Sequence, residues 1–310
     1  MKRFRSILLV VPADGTDIGP AMERATELTL RNTARLTLTS VVDEVPKRRI
    51  RRAQRRGLDL QAALVGERRR ELDQIAHTYE SEGVTIGVSV DVGVPFIETI
   101  HRVLRDGHDL VITPEEAGQA GFGSRTKHLL RKCPCPVWVV RPDRAQHLKV
   151  LAAVDPDAPA GGPLCRLIMD LATSLTIIED GELHIVHTWE MEGEAMLRSS
   201  GYVSMSPREV DLMVEVTRDE HSDGLDIVLG DHDLSSLDHE VHLVKGDAGR
   251  VIPALVVAEE INLVVMGTVA RTGVAGLVIG NTAERILDAV DCSVLAVKPE
   301  GFLSPVTFAT

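Results

Sequence analysis

Between Met266 and Thr282 the chain reads Met-Gly-Thr-Val-Ala-Arg-Thr-Gly-Val-Ala-Gly-Leu-Val-Ile-Gly-Asn-Thr, and Ala283-Glu284-Arg285-Ile286-Leu287 follows. Gly267, Gly273, Gly276 and Gly280 remove side chains where a backbone must turn sharply or let a ligand come close. Asn281, with Glu284 three residues later, is an asparagine version of the capping box, so a helix is expected to open there. The free N–H groups of a first helical turn, together with the helix dipole, attract an anion. Glycines that merely fit a surface crossover against a sheet are the plainer alternative. Two familiar phosphate motifs fail: no lysine stands where a P-loop needs one, either here or after Gly118, and Gly121-Phe122-Gly123 lacks the third glycine of a dinucleotide fingerprint.

A loop of this kind needs rigid elements to aim it. Short apolar runs alternate with helix-length stretches: Ile7–Val11, Leu36–Val42, Val84–Val90, Leu110–Ile112 and Val137–Val140, then Leu148–Val154, Leu183–Thr188, Val241–Val244, Leu263–Met266 and Val294–Val297. Such alternation predicts βαβ units and parallel sheets covered on both faces, with ligands beyond the carboxyl ends of the strands. The second set repeats the first. Ser6 to Val11 matches Lys149 to Val154, and Cys135-Pro-Val-Trp-Val-Val-Arg-Pro-Asp143 lines up with Cys292-Ser-Val-Leu-Ala-Val-Lys-Pro-Glu300 at an offset of 157 residues. The chain reads as a tandem duplication with domains 1–146 and 147–310, divided in the polar stretch from Arg141 to Lys149.

Met266-Gly-Thr-x-x-Arg-Thr-Gly273, the spacing to Gly280-Asn281-Thr282-Ala283-Glu284, and the Lys298-Pro299 ending together resemble the universal stress protein family. With Leu129-Leu-Arg-Lys-Cys-Pro-Cys-Pro-Val137 in the first half, the layout is similar to the tandem, type E-like branch of that family, over residues 4 to 306. The resemblance implies two flavodoxin-like (adenine-nucleotide alpha-hydrolase-like) domains, each a five-stranded parallel sheet with helices on both faces. It implies ATP or another adenine nucleotide as ligand, held by a Gly-x2-Gly-x9-Gly-Ser/Thr loop. By that resemblance Asp155 stands near adenine and ribose, Thr188 after His187 lends backbone to adenine, and Met266, Gly267, Gly280, Asn281 and Thr282 line the phosphate loop. The second motif glycine is replaced by Ala270, whose Cβ crowds the loop; Arg271 is the residue whose charge would offset this, or an exposed arginine without a role. In the first half Pro12 stands where Asp155 does, and Glu115-Glu116 replace Gly267 onward ahead of Gly123-Ser124. That site is expected to be degenerate, because carboxylates repel phosphate.

The remaining features bound the function. A net charge of −12 argues against a general nucleic-acid binder. It is unevenly spread: residues 1–147 carry 24 basic and 19 acidic residues, and 148–310 carry 10 and 27. The basic run Lys47–Arg56 and the acidic run Glu209–Asp226 read as solvated helix faces, with mutual attraction or an unidentified protein partner as alternatives. No run is long enough to span a bilayer, and the N-terminus reads as a first strand, so a cytoplasmic protein without membrane contact is expected. Cys133, Cys135, Cys165 and Cys292 are too sparse for a disulfide framework. His184, His187, His232, His239 and His242 read as surface residues, and no metal is required. No nucleophile stands beside a base. The leading reading is therefore a stress-response protein that senses or sequesters nucleotide without turnover. A non-nucleotide scaffold or apolar-ligand binder is the alternative, and a slow ATPase the weaker one. Pairing of the two halves as an intramolecular pseudo-dimer allows a monomer, with a homodimer also open.

Overall fold

A computed structural model of the chain describes residues 4–55, 58–80, 84–115, 121–142, 147–157, 161–199, 205–268 and 279–308. They divide into two compact units. One takes in the described residues of Met1–Arg144, Val274–Ile279 and Asp291–Thr310, the other those of Ala145–Gly273 and Gly280–Val290.

The first unit opens with β1 (Ser6–Val10), α1 (Gly19–Asn32), β2 (Arg35–Val42), α2 (Lys47–Gln54), α3 (Leu60–Glu80) and β3 (Ile86–Val92). It continues with α4 (Pro95–Asp106), β4 (Leu110–Pro114), α5 (Ser124–Lys132) and β5 (Val137–Val140). The strands lie in the order β3-β2-β1-β4-β5, all parallel. β1, β4 and β5 are buried at every residue, which is why they read as unbroken apolar runs rather than alternating ones.

In the second unit β6 (Lys149–Ala153), α6 (Gly161–Glu179), β7 (Glu182–Trp189), α7 (Glu194–Ser199) and α8 (Pro207–Gly230) come first. β8 (His239–Lys245), α9 (Ala248–Ala258), β9 (Leu263–Gly267) and α10 (Asn281–Ala289) follow, and the parallel order is β9-β6-β7-β8. All ten strands expected from the sequence are present. The last, β10 (Ser293–Val297), pairs antiparallel with β5, Val294 opposite Val139 and Leu295 opposite Trp138. Among the described residues the first unit thus holds six strands and the second four. β5 has no polar face, and an apolar edge left open would invite other chains. The backbone N–H of Arg141 donates to Ser293 Oγ at 3.1 Å, and its guanidinium pairs with Asp291 beyond the end of the ladder.

Among the described residues both charge runs are solvated. Lys47, Arg48, Arg49 and Arg51 are exposed on α2, and the acidic residues of 209–226 all face water on α8. α8 also owns a full capping box: Glu209 N–H donates to Ser206 Oγ at 3.3 Å, and Ser206 N–H donates to the Glu209 carboxylate at 2.6 Å. The box expected at Asn281 is not formed that way. The N-cap of α10 is Gly280, which has no side chain, and Asn281 is the first helical residue. Among the described residues, no helix is long and apolar enough to cross a membrane.

Candidate nucleotide-binding site

In the second unit β6 lies between β7 and β9, so the carboxyl ends of the three strands are adjacent. Ala153 is in register with Val186 on one side and Met266 on the other. The chain then leaves β6 through Val154 and reaches Asp155, half-buried beside them. Thr188, half-buried and in register with Val244, ends the β7 contribution. Met266 is buried and Gly267 closes β9. Gly280 N–H donates to the Thr268 carbonyl at 3.1 Å, which ties the start of α10 to the end of β9. Arg285, one turn into α10, donates to Asp247 at 2.9 Å and anchors the helix to the β8–α9 turn. Asp155, Thr188, Met266, Gly267, Gly280, Asn281 and Thr282 therefore belong to one end of one sheet. Ala270 and Arg271 lie outside the described residues.

Gly267 has a packing reason of its own. A Cβ there would come within 2.8 Å of Leu164 Cδ2 on α6. On α6 the thiol of Cys165 is pushed up to about 11 by burial, with the carboxylates of Asp155 and Asp157 adding to the shift, so it stays protonated.

Two of the five histidines depart from the reading of them as surface groups, while His239 is exposed as expected. His184 and His187 are fully buried. His184 Nδ1 meets His242 Nε2 at 3.0 Å across neighbouring strands, and His187 Nε2 meets His221 Nδ1 of α8 at 2.9 Å. Burial holds His187 and His242 below the usual imidazole range. Asp157, just past Asp155, reaches His221 Nδ1 at 2.7 Å. His221 and Asp157 carried no sequence signal. One lies in an acidic amphipathic helix and the other in a turn, and only the packing of α8 on β7 unites them.

The first unit uses the equivalent positions differently. The residue in the place of Thr268 is Glu115, whose Oε1 accepts the Gly123 N–H at 3.1 Å while Oε2 accepts the Thr126 hydroxyl. A carboxylate of the chain thus caps the start of α5, where free N–H groups would otherwise attract an anion. At the other end of the site Arg68 of α3 donates to the carbonyls of Val11 at 3.1 Å and Pro12 at 2.7 Å, and to Ser40 Oγ at 2.8 Å. Glu116 lies outside the described residues. Removing the cap by Glu115→Ala should cost about 1–3 kcal/mol, since it strands a backbone donor and a buried hydroxyl. Urea unfolding would measure this, and a variant as stable as the parent would show that the carboxylate does not hold the helix.

The architecture has direct counterparts. The universal stress protein family model matches residues 4–141 and again 147–298. The chain belongs to the universal stress protein family, as a tandem of two such domains. Universal stress protein E of Escherichia coli K12 is 28% identical over 265 residues, covering 80% of this chain and 79% of that one. The protein of the same name from Photorhabdus laumondii is 24% identical over 323 residues, spanning 100% of this chain and 99% of its own. A crystal structure of a functionally unknown Pseudomonas aeruginosa PAO1 protein superposes with a TM-score of 0.73 at 22% identity, covering 97% of this chain and 95% of that one. A universal stress protein from Archaeoglobus fulgidus gives 0.63 at 17% identity, over 94% and 98% of the two chains. At those identities the structures speak to the fold.

Proposed function

We propose that this chain is a cytoplasmic stress-response protein that binds one adenine nucleotide, ATP, ADP or AMP, in its second domain, 147–310, as a sensor or regulator rather than a catalyst. The first domain, 1–146, is its partner with a closed site. One observation carries the reading: the start of α5 is filled by the carboxylate of Glu115, whereas the same position before α10 holds Thr268, which offers no charge against a phosphate. The N–H groups of Asn281 and Thr282 then face the phosphate end, with Met266, Gly267, Ala270 and Arg271 as its loop, and Asp155 and Thr188 serve the nucleoside end.

Native mass spectrometry of freshly purified protein tests it. An added mass of one adenine nucleotide per chain is expected, reduced in Asp155→Ala, which removes a polar anchor worth about 1–3 kcal/mol if buried on binding. The packing of Leu164 against Gly267 favours the second reading, in which the glycine is kept for the fold and the protein is a scaffold. A preparation that carries no nucleotide and takes none up at millimolar concentration supports that alternative.

A further inference from the structure

We propose that Asp157, His187 and His221 form a binding site for a divalent transition-metal ion of the zinc class, beside the nucleoside end of the site and independent of nucleotide. The three ligand atoms converge. His187 Nε2 lies 2.9 Å from His221 Nδ1, His221 Nδ1 lies 2.7 Å from Asp157 Oδ2, and His187 Nε2 lies 3.5 Å from the same oxygen. Around a tetrahedral zinc the spacing between nitrogen or oxygen ligands is about 3.3 Å, so the triangle needs only to relax by a few tenths of an ångström.

The protonation pattern points the same way. His187 Nδ1 lies 3.3 Å from the Val154 carbonyl, which can only accept, so Nδ1 carries the proton and Nε2 turns a lone pair into the cluster. That backbone contact is the orienting bond metal-ligating histidines use. One proton on His221 Nδ1 is left to serve two acceptors, His187 Nε2 and the Asp157 carboxylate. A cation in its place would satisfy all three atoms at once. His187 is buried, whereas Asp157 is exposed at the rim, which leaves a path for the ion and a face for a fourth ligand such as water.

The two domains supply an internal comparison. Ser40 stands in the place of His187, and its hydroxyl donates to the Val11 carbonyl at 2.8 Å just as His187 Nδ1 faces Val154. Arg68, from the helix equivalent to α8, approaches Ser40 as His221 approaches His187. Asp14, in the place of Asp157, pairs instead with Arg125 at 3.0 Å. The first domain thus places a guanidinium of its own at this corner. In the second, two imidazoles and a carboxylate replace it, a set of donors for an external cation.

The ion is a ligand and not a staple, since hydrogen bonds already join the three elements. The test uses the full chain, stripped with a chelator, without nucleotide, at neutral pH. Cobalt(II) should bind and produce visible d–d bands that zinc(II) abolishes. His221→Gln and Asp157→Asn, both at partly exposed positions, should weaken cobalt binding by about tenfold or more while the circular dichroism stays native. His242→Gln, in the separate His184–His242 pair, should leave it unchanged. Absence of cobalt and zinc uptake by the unmodified chain, equal affinity in the His221 and Asp157 variants, or loss in His242→Gln instead would each overturn the assignment. Nucleotide binding measured on the same preparations reads out separately.

Discussion

Gly181→Ala should be among the most damaging single-methyl changes in the second domain, lowering its stability by about 3 kcal/mol. The added Cβ would lie 2.2 Å from the carbonyl oxygen of Leu148, which already accepts the Glu182 N–H at 2.8 Å. A backbone carbonyl at the start of β6 cannot swing aside as a side chain can, so the β6–β7 pairing must shift with it. Gly267→Ala is the useful contrast. Its clash is with the end of the Leu164 side chain, which can rotate, so a cost of about 1 kcal/mol is expected. Urea midpoints at constant m-value would separate the two. Equal losses would mean that the backbone near Leu148 is more compliant than its hydrogen bonding implies.

The second large effect is on pH. Lys298 is buried, donates to the Leu130 carbonyl at 2.5 Å and sits over the Phe302 ring. Burial lowers its pKa from 10.5 to about 8, opposed by the Cys133 thiol nearby. A base whose folded pKa is depressed makes the unfolded state the better proton binder between the two values. Stability therefore rises with pH from about 8 to about 10.5 and is lost again on the way down. The penalty below pH 8 amounts to about 3 kcal/mol. Lys298→Met should abolish this rise and be no less stable than the parent at pH 7, because a methionine needs no hydration. Unfolding free energies of the two proteins across that window decide it. Parallel curves would show that the ammonium is solvated in the folded state.

The sequence carried the fold because the signals there are local. An apolar run such as Ile7–Val11 or Leu110–Ile112 has no polar face and must be a strand covered on both sides. The duplication then set the second domain by the first. Placement at the end of the sheet was legible where it followed from strand ends and glycines, as at Gly267 and Gly280, whereas the part proposed for Asp155 comes from the family resemblance. The site was illegible where it depended on which helix face meets which strand. Glu115 could be seen to oppose phosphate, but not to cap α5 itself. Arg68 and His221, 28 and 34 residues from Ser40 and His187, meet them only because α3 and α8 pack back over β2 and β7. The capping box failed at Asn281 for a local reason: the chain enters the helix one residue earlier than that pattern requires, at a glycine.

Titration calorimetry of ATP, ADP and AMP into the full chain tests most directly whether one domain of the two binds nucleotide. One site per chain is expected, lost when Gly280→Leu puts a bulky side chain at the start of α10 and unchanged when the equivalent Gly123 is replaced by alanine. Two equivalent sites, or a single site indifferent to Gly280→Leu, would contradict it.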